Sequence, residues 1–305
     1  MLKKLLLFVI VAAVAGLGIY WFITRPSTIA ASALGPRTPN VANGKTMFDI
    51  GGCVSCHATS KDDRTVLGGG LALKSPFGTF YVPNISQNPV DGIGRWSEAD
   101  FVTAMMRGTS PEGRHYFPAF PYASYARMKV EDVRDLFAYL KTLPQAAGKV
   151  REHDVPFPFN IRRNVGAWKF LFFDDKPFVA DASKSAEWNR GTYLVNGPGH
   201  CAECHSPRNA LGGIVASQRF AGGPNPEGEG WVPNITQKGG LSEWSEKDIA
   251  YFLETGQTPE GDSAGGSMTP VIANTSQLSA ADRNAMAMYL KSLPAIEGPK
   301  KPGKS

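Results

Sequence analysis

Residues 5–23, LLLFVIVAAVAGLGIYWFI, run for nineteen positions without a charge, close to the roughly 20 residues an α-helix needs to cross a bilayer. Further along, apolar side chains recur at helical rather than strand spacing. Leu136, Tyr139, Leu140 and Leu143 follow i, i+3, i+4, i+7, and Met286, Tyr289, Leu290 and Leu293 repeat that pattern, so each set predicts an amphipathic helix. Ser97 and Ser245 each precede an aspartate by three residues, a variant of the capping box that predicts a helix start. No run alternates apolar and polar residues for long enough to predict a major sheet. The pattern is that of a mainly α chain.

Those helices belong to a duplication. WSEAD (96–100) recurs as WSEKD (244–248), and PEG (111–113) as PEG (259–261), both 148 residues on. VPNIS (82–86) recurs as VPNIT (232–236), and LKTLP (140–144) as LKSLP (290–294), both 150 on. Each copy is about 105 residues, a normal size for a small domain. The expected organisation is an N-terminal anchor over 1–26, a first domain over 38–147, a second over 187–296 and a tail over 297–305. The aromatic, proline-rich segment 148–186 between them is too apolar for a free linker. It is expected to pack across both domains, with a quinone or partner groove as the alternative.

Charge settles the topology. Lys3 and Lys4 place the start of the apolar run in the cytoplasm, and Tyr20 and Trp21 suit the far interface. The domains are then exported to the periplasmic side of the inner membrane on a single-pass anchor. The competing reading is cleavage after Ala31–Ala33, but Arg25 and Pro26 put that site far from the apolar run. A net charge of +5 over 305 residues is too mild for a nucleic-acid footprint.

All four cysteines lie in two units, CVSCH (Cys53, Cys56, His57) and CAECH (Cys201, Cys204, His205), whose histidines are again 148 apart. C-x-x-C-H is the covalent attachment signature of c-type haem. On a helical turn, i, i+3 and i+4 share a face, so two thiols reach the porphyrin edge while the adjacent imidazole reaches the iron. One zinc held by both C-x-x-C pairs would not need the two histidines, and redox disulfides would leave them unexplained. The expected cofactors are two haems c, with His57 and His205 as axial ligands.

A haem c that carries electrons usually pairs histidine with methionine. Met268, in the loop GGSMTP, lies 63 residues after His205 and is the expected sixth ligand of the second haem. The same count from His57 arrives at Phe120, which cannot ligate iron. Met128 at the end of the same loop is then favoured. His115 is the alternative, and an open iron remains a third reading. Met105 and Met106, in the preceding helix, are also candidates, with core or surface packing as the competing role. Asn84 and Asn234 in the VPNI segments, and Arg208 after the second motif, are candidate propionate contacts, with turn formation the competing role for the asparagines. His153 reads as solvated and His200 as a packing group.

The stretches FPAFPYASYARM, WNRGTYLVNGPGHCAECHSPRNALGG, VPNIT and YLKSLP resemble the cytochrome c subunits of membrane-bound bacterial dehydrogenases, such as the alcohol and gluconate enzymes. The resemblance covers about residues 40–295. It implies two tandem class I cytochrome c-like domains that pass electrons from a periplasmic dehydrogenase subunit to quinone or a terminal cytochrome. Two departures stand out. The best-known members carry three haem motifs, and many read PAMPY where this chain reads PAFPY. The alternative is a dihaem enzyme, peroxidase-like, with an open first iron. With no cysteine left over, it cannot use a thiolate-ligated haem.

Overall fold

The computed structural model describes residues 1–60 and 62–301. It is mainly helical. The first unit runs α2 (Val41–Ile50), α3 (Cys53–His57), the hairpin β1 (Ala72–Ser75) and β2 (Gly78–Tyr81), α4 (Glu98–Arg107), α5 (Tyr122–Tyr125) and α6 (Val130–Leu140), after an N-terminal α1 (Leu2–Ile23). A connecting helix, α7 (Asn164–Phe172), leads to the second unit. That unit repeats the order as α8 (Ala186–Asn196), α9 (Ala202–His205), β3 (Gly223–Pro224), β4 (Trp231–Val232), α10 (Glu246–Thr255), α11 (Met268–Thr275) and α12 (Ala280–Lys291). Both hairpins are antiparallel, with Ala72 opposite Tyr81 and Gly223 opposite Val232.

Local chemistry accounts for the helix limits. Ser97 and Ser245 each form the reciprocal capping box with the aspartate three residues on. Gly108 and Gly256 end the same helices in the left-handed conformation, where a Cβ is costly. In each unit the first and last helices cross closely, α2 on α6 and α8 on α12. Glycine makes this possible: a Cβ at Gly44 would overlap the Asp135 carbonyl, and one at Gly191 the Ala285 carbonyl.

The two units share one apolar core. Met47, Leu136 and Leu140 belong to the same cluster as Leu194, Ile249 and Met286. The connecting segment closes over both. Trp168 Nε1 donates to the Leu211 carbonyl at 3.0 Å, while Lys169 donates to the carbonyls of Arg107 and Gly108 at 2.6 and 2.7 Å. His153, expected in solvent, is instead half-buried. Its Nδ1 accepts from the Tyr81 amide at 3.1 Å and its ring meets Phe80 and Phe117 edge-on, because β2 returns the chain beside it.

Helix α1 buries none of its length and has a mean hydropathy of 2.5. Its end is held firmly. Thr24 is 0% exposed. Its carbonyl accepts from His115 Nε2 at 2.8 Å, its hydroxyl accepts from Arg163 Nε at 2.7 Å, and Gly166 abuts it.

Candidate haem sites

Each C-x-x-C-H motif forms the expected helical turn. Cys53–His57 is α3, and Cys201 has helical dihedrals at the head of α9. The four cysteines are free and half-buried. Burial pushes the thiols up, to about 12 at Cys53 and about 11 at Cys201, which suits sulfurs that end as uncharged thioethers. Among the described residues no three His, Cys, Asp or Glu side chains converge as a metal cluster, so nothing supports a shared zinc.

The axial histidines are aimed by backbone. His57 Nδ1 donates to the Pro83 carbonyl at 2.8 Å, and His205 Nδ1 to the Pro233 carbonyl at 2.9 Å. Each bond fixes the tautomer and leaves Nε2 as the free lone pair. Burial drives His57 down to about 4 and lowers His205 too, so both stay neutral, the form that binds a metal. These residues fit a haem iron: neutral imidazole beside a thiol pair, in each unit.

The twin VPNI segments therefore matter through their prolines, a role the sequence reading missed although their repetition signalled it. The asparagines hold those prolines in place. Asn84 Nδ2 donates to the carbonyls of Ala146 (2.8 Å) and Gly148 (3.3 Å), and its Oδ1 accepts from the Ser86 amide at 2.9 Å. Asn234 Nδ2 donates to the Ile296 carbonyl at 2.8 Å, and its Oδ1 accepts from Thr236. Both staple the loop to the end of their unit. Arg208 is also committed, to Glu203 Oε2 at 2.6 Å and to the Gly212 carbonyl at 2.8 Å.

On the sixth-ligand side, Met268 is the first residue of α11, half-buried against the core. Phe120 packs edge-on against Tyr116 and Tyr125. Met128 is 1% exposed at the foot of α6, where the second unit has Leu278 at 5%, so it fills a leucine's place. His115 turns away to Thr24, as above.

The two motifs also meet. Ser55, between the cysteines of α3, accepts from Asn274 Nδ2 of α11 at 2.7 Å. Glu203, its counterpart in α9, accepts from Ser124 of α5 at 2.7 Å. Ser55 and Glu203 are 148 apart, and Ser124 and Asn274 are 150 apart, so the contacts are related by the duplication itself. Between them, Tyr125 and His200 both donate to the Gly51 carbonyl, at 3.0 and 3.3 Å. Besides burial, one carboxylate, Glu227, pushes both Cys56 and Cys204 upward.

A cytochrome c family model matches residues 41–144. The chain is 48% identical over 295 residues to a diheme cytochrome c-type protein of Cereibacter sphaeroides, covering 96% of this chain and 97% of that one. It is 35% identical over 261 residues to the fructose dehydrogenase cytochrome subunit of Gluconobacter japonicus, covering 84% and 53%. To the gluconate 2-dehydrogenase cytochrome c subunit of Pantoea cypripedii it is 35% identical over 283 residues, covering 88% and 63%. It thus spans nearly all of the first relative and less than two thirds of the other two.

Proposed function

This chain belongs to the dihaem c-type cytochromes of the cytochrome c family and carries two covalently bound haems c, and on that premise we propose that it relays electrons from a periplasmic dehydrogenase partner towards quinone or a terminal cytochrome. Bound haem supplies a one-electron iron couple. The chain's own residues attach, orient and insulate it. Cys53 and Cys56 hold the first haem and Cys201 and Cys204 the second. His57 and His205, aimed by Pro83 and Pro233, would supply the imidazoles that bind each iron, and Met268 would supply the thioether at the second.

One observation carries this reading: the paired contact of each attachment turn with the other unit's helix, Ser55 with Asn274 and Glu203 with Ser124. It brings each attachment turn to the boundary with the other unit, which supports transfer between two neighbouring haems. The partner is inferred from the dehydrogenase subunits among the relatives. Helix α1 acts as a retained inner-membrane anchor with both units on the periplasmic side; in support, cleavage after Ala33 would remove the buried Thr24 and leave His115, Arg163 and Gly166 without the residue they pack on.

The test is redox behaviour of the detergent-solubilised full chain. Both haems should reduce, and reoxidise with a quinone analogue or an oxidised soluble cytochrome c, without turning over hydrogen peroxide. Sustained peroxide reduction would replace the relay by an enzyme.

A further inference from the structure

We propose that Met105, on α4, is the sixth ligand of the first haem. The inference rests on the dihaem reading above and adds the one ligand that reading leaves open. The duplication supplies the argument. α4 and α10 each run ten residues from a capping-box serine to a left-handed glycine, Ser97 to Gly108 and Ser245 to Gly256. Their register is pinned at both ends at an offset of 148, with no room for a slip. At that offset Met105 corresponds to Leu253, just as Phe120 corresponds to Met268. The second unit therefore has leucine on the helix and methionine on the loop. The first unit has methionine on the helix and phenylalanine on the loop. The thioether has changed elements, and a bulky apolar side chain stands in the place it left.

Burial supports the exchange. α10 buries a single face, Ile249, Ala250 and Leu253, whose counterparts in α4 are Phe101, Val102 and Met105. Met105 and Leu253 are equally hidden, at 6% each. The Leu253 carbonyl accepts from the Thr275 hydroxyl of α11, which sets this face against the helix that Met268 begins. In the first unit α4 packs likewise on α5, which follows Phe120, and Met105 and Phe120 share one apolar cluster.

The other donors are excluded by position. Met106 corresponds to the exposed Glu254, on the outer face of the helix. That face is covered in the first unit by the connector from α1, through the Ile29 amide donating to Thr103 Oγ1 at 3.0 Å. Met128 occupies the position of Leu278, and His115 donates to Thr24. Methionine suits the role because its unbranched side chain with three rotatable bonds adapts to irregular space, and thioether ligation is the usual partner of histidine on an electron-transfer haem c.

The experiment uses the full-length holoprotein and the weak far-red band of ferric methionine-ligated haem, with carbon monoxide binding to the reduced protein. Wild type should show the band from both haems and bind no carbon monoxide. Met105→Leu should lose half the band and take up one carbon monoxide per chain, as Met268→Leu should at the other haem. Met128→Leu should change neither. The double variant Met105→Leu/Phe120→Met rebuilds the second unit's arrangement and should restore the band, a rescue that a purely structural Met105 would not give. The proposal is overturned if Met105→Leu keeps the full band, if Met128→Leu is the variant that halves it, or if wild type already binds carbon monoxide. A pyridine haemochrome count separates the levels. Two haems per chain with an unaffected Met105→Leu refutes only this ligand, whereas fewer than two refutes the dihaem reading beneath it.

Discussion

Removing the Asn84 side chain should weaken the first haem site, and the matching change at Asn234 the second. Asn84→Ala deletes two donated hydrogen bonds, to Ala146 and Gly148, and one accepted from the Ser86 amide. At about 0.5–1.5 kcal/mol each, with the Gly148 bond long and at the low end, the loss is roughly 1.5–3.5 kcal/mol. The Ser86 amide is left in a buried residue without a partner, which puts the cost in the upper part of that range. The Ala146 carbonyl keeps the Ser86 hydroxyl at 3.3 Å, which limits it. Asn234 is half-buried; it donates one bond and accepts two, from the Thr236 amide and hydroxyl, and its acceptor Ile296 retains the Thr236 hydroxyl at 3.3 Å. With three bonds lost there too, Asn234→Ala should cost a similar amount, about 1.5–3.5 kcal/mol. Urea unfolding of the solubilised holoprotein gives both numbers. The redox readout is independent: a loosened Pro83 carbonyl weakens the bond that makes His57 a stronger donor, so the first haem's potential should rise. A cost under about 0.5 kcal/mol for either variant would refute the idea that these asparagines position the axial histidines.

Gly191→Ala should destabilise the second unit by at least about 1–3 kcal/mol, because the new methyl meets the Ala285 carbonyl; a melting temperature equal to wild type would contradict the close crossing of α8 and α12. His115 is held below its ordinary value, first by burial and then by the nearby cations Lys169 and Arg163, against the bond to Thr24. Its neutral form is therefore the folded one, the unfolded chain binds the extra proton, and its contribution is present above roughly pH 6.5 and lost as pH falls through the lower folded value. His115→Gln should flatten that part of the stability profile, and an unchanged slope would count against it. The chain should remain with membranes through a carbonate wash and be released when residues 1–26 are removed; a full-length chain that washes off would end the anchor proposal.

Covalent spacing is what the sequence determined by itself. Two C-x-x-C-H turns, two capping boxes and an apolar run are local, each confined to a few neighbouring residues or one helix, and so the mainly α class and both haems were legible from residue order. The amphipathic spacing of Leu136 to Leu143 likewise located the closing helix, although Leu143 itself falls just beyond its end. Partnerships between distant residues were another matter. Asn84, Asn234 and Arg208 are polar groups beside the motifs, and nothing in residue order says whether such a group bonds to a ligand or to a carbonyl 62 positions away, as Asn84 does. Residue order likewise does not show that His115 Nε2 meets the end of α1, at a carbonyl 91 residues distant in the chain. Met128 is favoured in the sequence because the count from His57 ends on Phe120 and Met128 closes the same loop, but its burial, matched by Leu278 150 residues on, gives it a leucine's place in the core. Tertiary structure decided these cases because burial removes water as the competing partner, and a buried polar atom must then take whichever protein group the fold delivers.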